Sequence, residues 1–142
     1  MKIRAGLVFI AAFILFGCSQ KLQKLSQQEG TQRLIGSYAL HVGHDCQDKG
    51  IETATLALHS NGTYSQEGKF KSGNSFRLDG KKWSYDGGGN VFLFDAKIYD
   101  PLDISPETKL TNASLIVDFH KPTVIILDPG LDCFFERKEK TE

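Results

Sequence analysis

The sequence predicts an all-β domain, an antiparallel meander of about eight strands forming a small barrel or coiled sheet. Three observations predict it. Short segments of alternating apolar and polar residues follow one another from Leu34 to Arg137. Turn residues separate them, as in Ser60-Asn61-Gly62, Ser72-Gly73-Asn74, Asp86-Gly87-Gly88-Gly89-Asn90 and Asp128-Pro129-Gly130. Composition agrees, because 14 Gly, 10 Phe and 4 Tyr suit a β-rich domain with many turns. Beyond the N-terminal segment, no stretch has convincing helical periodicity.

That N-terminal segment is organised differently. Lys2 and Arg4 precede Ala5 to Gly17, a run without charged or strongly polar residues. It is shorter than the roughly 20 residues a spanning helix needs and fits the apolar core of an export signal. Leu15-Phe16-Gly17-Cys18 closes the run and resembles the bacterial lipobox. The resemblance implies a signal peptide over residues 1–17, cleavage before Cys18 and diacylglycerol on its thiol. The expected partner of this end is thus a membrane. A diacyl anchor suffices physically, since each buried CH₂ contributes about 0.8 kcal/mol and two chains hold where one does not. Ser19 resembles the sorting residue of lipoproteins sent to the outer membrane, facing the periplasm.

Residues 18–33 read as a flexible tether, rich in Gln and poor in groups that pack. As a random coil it spans roughly 20 Å. The domain then covers residues 34–137, and residues 138–142 form a charged tail.

Strand one is expected at Leu34–His41, with Gly36, Tyr38 and Leu40 on one face. Strand two, Glu52–His59, turns Ala54, Leu56 and Leu58 inward. Asn61-Gly62 accepts the positive φ of a tight hairpin and leads to strand three, Thr63–Lys71, with Tyr64 and Phe70 on one face. Strand four is Phe76–Tyr85, with a bulge or bend at Gly80 and Trp83 and Tyr85 on a shared face. Strand five is Val91–Tyr99. After the loop Asp100–Asn112 come strand six (Ala113–His120), strand seven (Thr123–Leu127) and strand eight (Asp132–Arg137). Gly36-Ser37-Tyr38, Asn61–Tyr64 and Gly80–Tyr85 together resemble small lipocalin-like domains of bacterial lipoproteins. The resemblance implies a barrel and little about function.

In a meander, successive connections alternate between the two ends. Links 2–3, 4–5 and 6–7 are tight, whereas the longer loops 1–2 (Val42–Ile51) and 5–6 fall at the opposite mouth. This count holds if Gly80 bends strand four without splitting it. With Cys18 lipidated, Cys46 and Cys133 remain, and in an oxidising compartment the pair reads as a disulfide. In a closed barrel both cysteines lie at the mouth end, so the bridge and the barrel agree. Its long loop would contribute about 4–5 kcal/mol, less any strain.

Loops on a rigid scaffold usually carry function, so the binding mouth is expected at His41, His44, Asp45, Asp48, Asp100, Asp103 and Glu107. The group His41, His44, Asp45, Cys46 and Asp48, with His59 and His120 elsewhere, resembles a ligand set for Zn or Cu. A metal would need Cys46 reduced, in competition with the disulfide, so no metal and no cofactor are expected. Asp100, Asp103 and Glu107 include carboxylates of the kind paired in glycosidases; acidic loop residues are more often solvated, and no catalytic residue is assigned. Trp83 and Tyr85 read as core. The sequons Asn61-Gly62-Thr63 and Asn112-Ala113-Ser114 carry no weight behind a bacterial export signal.

Seventeen basic side chains balance 17 acidic ones, and removal of Lys2 and Arg4 leaves a slight acidic excess. Nothing favours nucleic acid as a partner. The expected function is a non-enzymatic binding or accessory protein of the envelope, with an envelope protein or small ligand as partner. The alternatives are an inhibitor or immunity protein against a hydrolase or toxin, and a small-ligand or metal carrier.

Overall fold

The computed structural model describes residues 25–43, 50–97, 110–120, 122–128 and 132–139. The elements run α1 (Gln27–Leu34), β1 (Gly36–Val42), β2 (Ile51–Leu58), β3 (Thr63–Phe70), β4 (Ser75–Tyr85), β5 (Asn90–Ala96), β6 (Thr111–Asp118), β7 (Val124–Asp128) and β8 (Cys133–Arg137). The strands form a closed barrel in chain order, each antiparallel to the next. The ring closes through β1 and β8, with Tyr38 opposite Arg137 and Val42 opposite Cys133.

Period-two patterning explains the strands. Ala54, Leu56 and Leu58 of β2 are buried, as are Tyr64 and Phe70 of β3 and Trp83 and Tyr85 of β4. The β2–β3 hairpin tightens around Asn61, whose side-chain oxygen accepts from the Thr63 N–H at 3.0 Å and hydroxyl at 2.7 Å. Gly62 takes φ +77 there. In β4 the register slips between Tyr64–Lys81 and Gln66–Leu78, with Gly80 at φ +68. One extra residue therefore bulges within a single strand, and the alternation of connections survives.

Tyr38, Tyr64, Tyr85, Phe135, Leu56, Leu58, Leu93, Ile125 and Val91 are all fully buried. Side chains thus fill the centre of this small barrel. The Trp83 indole N–H donates to the His59 carbonyl at 3.1 Å, and the Tyr64 hydroxyl to the Phe94 carbonyl at 2.9 Å.

The seam between β4 and β5 is only partly laddered. Residues Trp83–Tyr85 pair with Val91–Leu93, and β5 then bulges, with Asp95 at φ +56. Side chains bridge the remainder. Besides Tyr64, Gln66 accepts from the Lys97 N–H at 2.9 Å, and Lys81 pairs with Asp95 at 3.3 Å.

One expectation is corrected. Residues 25–33, read as tether, belong to the folded domain. Ser26 caps α1, accepting from the Glu29 N–H at 3.3 Å, and Glu29 and Arg33 complement the helix dipole. Leu25 and Leu34 join the core. A helix of 8 residues is marginal alone and needs tertiary support. Gly30 supplies the close approach, because a Cβ there would lie 2.1 Å from the Tyr85 ring. Gly87 of the β4–β5 turn lies beside Gln27, and Arg33 donates to the Phe119 carbonyl at 3.0 Å. Arg33 also sits over the Phe119 ring, 5.2 Å from its centroid. Helix α1 therefore plugs the tight-turn end of the barrel.

Candidate functional site

At the opposite end, β1 and β8 position the described part of the mouth. His41 stacks on Phe134, with centroids 4.6 Å apart and planes 13° from parallel. The two are register partners across the closing seam. His41 Nε2 lies 3.7 Å from an Asp132 carboxylate oxygen, both side chains being half or more exposed. Asp132 adopts φ +52 at the head of β8, and its carbonyl accepts from the Gly43 N–H at 3.0 Å. This hydrogen bond holds the start of the 1–2 loop against the start of β8.

Cys133 is buried and disulfide-bonded. Its expected partner, Cys46, lies outside the described residues, in the loop that leaves β1 opposite Cys133. His44, Asp45, Asp48, Asp100, Asp103 and Glu107 also lie outside the described residues, as do residues 1–17 and Cys18. Of the expected mouth residues the structure describes His41. It adds Asp132 and Phe134, which the sequence reading used only as strand residues.

His59 and His120 stand just beyond the ends of β2 and β6, at the plugged end. The His59 ring approaches the Ser65 hydroxyl at 3.3 Å. Asp118 lies in close contact with the His120 ring and accepts from its backbone N–H. Burial pulls the Asp118 carboxyl upward, but these bonds and the His120 charge together hold it below its ordinary value. Neither histidine meets His41. Among the described residues no three His, Cys, Asp or Glu side chains come together as a metal site.

A further feature lies on the barrel wall. A shallow groove of about 520 Å³ crosses β2–β4 over Thr53, Thr55, Glu67, Gly68, Phe76 and Arg77. An adjoining depression of about 330 Å³ shares Thr55, Glu67 and Arg77 and reaches Asp79 and Lys138. Arg77 is paired with Asp79 at 2.8 Å. Nothing in the strand patterning marked this groove. Depth across three strands depends on how neighbouring side chains lean, which period-two patterning does not encode.

The fold defines the class: a closed eight-stranded antiparallel barrel, plugged by a helix at one end and cross-linked by a disulfide at the other. Compared with family models, with curated proteins and with solved structures, the chain matches none.

Proposed function

We propose that this chain is a lipid-anchored protein of the bacterial envelope whose barrel is a non-enzymatic binding module presenting its mouth to a partner. The anchor rests on the apolar run ending in Leu15-Phe16-Gly17-Cys18. The mode of binding rests on one observation: the described barrel interior is filled by packed side chains. A filled barrel supports recognition by rim and wall. That favours a macromolecular partner, such as an envelope protein or a hydrolase to be inhibited, over an encapsulated small ligand. The proposed location is the periplasmic face of the outer membrane.

Metabolic labelling with a fatty acid tests the anchor. The parent should incorporate label, and Cys18→Ser should not and should leave the membrane fraction. Equal labelling of both would remove Cys18 as the site. Affinity capture from envelope extract, followed by loop exchange, tests the mouth. Replacing part of Pro101–Thr111 with a short Gly-Ser loop should abolish capture of the partner, and exchanging Asp86–Asn90 for another tight turn should not.

A further inference from the structure

Helix α1 changes what the anchor does, because it fixes a point on the barrel that any tether must reach. Leu25 is buried in the core beside the plugged end, so any tether ends there. From Cys18 to Leu25 the chain reaches at most about 25 Å when fully extended. Strands of this length, tilted as in small barrels, give a barrel height of about 20 Å. A tether starting at the plugged end would spend nearly its whole reach climbing the wall before the mouth could face the bilayer. With the plugged end down, the same length of chain suffices without any climb.

We propose that the α1-plugged end of the barrel faces the lipid bilayer and that the disulfide-bearing mouth points away from it. The inference rests on lipidation of Cys18. The surface presented to the bilayer is mainly polar: Gln27, Gln28, Glu29, Asp86 and His120 are exposed, with Pro122 beside them. The barrel therefore stands on the headgroups without inserting. The C-terminal strand ends at the same level, since the Lys138 N–H donates to the Ser37 carbonyl at 2.9 Å. His41, Asp132 and Phe134 are carried to the far rim, where a partner approaches without displacing lipid.

Energy transfer tests this on the full mature protein, acylated and with its disulfide intact, in vesicles of phosphatidylethanolamine and phosphatidylglycerol. A donor dye is placed on Glu139→Cys, at the plugged end, or on Ser72→Cys, in the β3–β4 turn at the mouth end; the acceptor is on the lipid headgroups. With about 20 Å between the two levels, transfer from Glu139→Cys should exceed that from Ser72→Cys about twofold or more. Inserting a long Gly-Ser stretch between Lys24 and Leu25 should leave vesicle binding intact and shrink the difference. Equal transfer, or the reverse order, in protein that does partition into vesicles overturns the orientation while sparing the anchor. A mature chain that carries no acyl group and fails to partition overturns both.

Discussion

Tyr38 and Arg137 face one another across the seam that closes the barrel, and both donate to the carbonyl end of α1. The Tyr38 hydroxyl reaches the Leu34 carbonyl at 2.6 Å. Arg137 donates to the Arg33 carbonyl at 2.5 Å and the Ile35 carbonyl at 2.8 Å. The last carbonyls of a helix have no partner within it. Here the β1–β8 junction supplies donors for them, which couples closure of the barrel to seating of the plug.

Tyr38→Phe should therefore cost about 1 kcal/mol, the net worth of an ordinary hydrogen bond. Arg137→Ala should cost more, because a charged donor serving two carbonyls is removed. Chemical denaturation measures both. If Arg137→Ala is neutral, the plug does not depend on that side chain.

Gly30→Ala separates local propensity from packing. In an exposed helix interior the change would stabilise by about 1 kcal/mol. Against the Tyr85 ring the added methyl lies 2.1 Å from carbon, and forcing such a contact typically costs about 1–3 kcal/mol. The melting temperature should fall. A rise would show that Tyr85 can move aside.

Alkaline pH should loosen the same region. Burial pushes the Tyr38 hydroxyl up from 10.0 to about 12, with Arg137 opposing. Tyr64 is raised as well, by burial and then by the Asp95 charge. The folded state retains protons that the unfolded chain releases, so this contribution is intact below pH 10, declines as pH rises and is lost above about 12. Stability measured from pH 9 to 12 should fall, and Tyr38→Phe should flatten the slope. An unchanged slope in that variant would assign the alkaline loss to other groups.

Gln66 is the buried polar side chain whose replacement should hurt most at the β4–β5 seam. It is 1 % exposed, and its oxygen accepts from the Lys97 N–H. Gln66→Leu takes away that acceptor, at a cost of about 1–3 kcal/mol. Amide exchange at Lys97 should quicken beyond what global destabilisation explains. Unchanged exchange there would mean another acceptor takes over.

The disulfide offers a chemical check. Cys133 is bonded, and the proposed partner is Cys46. Alkylation of the oxidised protein followed by mass spectrometry should leave both cysteines unmodified until reductant is added. A native protein with Cys46 freely alkylated would assign the bridge elsewhere.

The order of the strands, the Asn61-Gly62 hairpin and the Gly80 bulge were all legible from residue order alone. Each follows from local rules: side chains alternate faces along a strand, and few residues accept positive φ in a turn. The helix was less visible. Ser26-Gln27-Gln28-Glu29 matches a capping-box pattern, yet so short a Gln-rich stretch shows no apolar face of its own. Its reason for folding is the Tyr85 ring beneath Gly30 and the donors of Tyr38 and Arg137, which lie far away along the chain. Gln66 likewise reads as an ordinary polar residue until β5 turns the Lys97 N–H toward it. Sequence by itself determined the meander, because alternation and turn chemistry act over a few residues. Only tertiary structure decided which end is plugged, which polar group is buried and where the wall opens into a groove, because those depend on contacts that exist once the ring has closed.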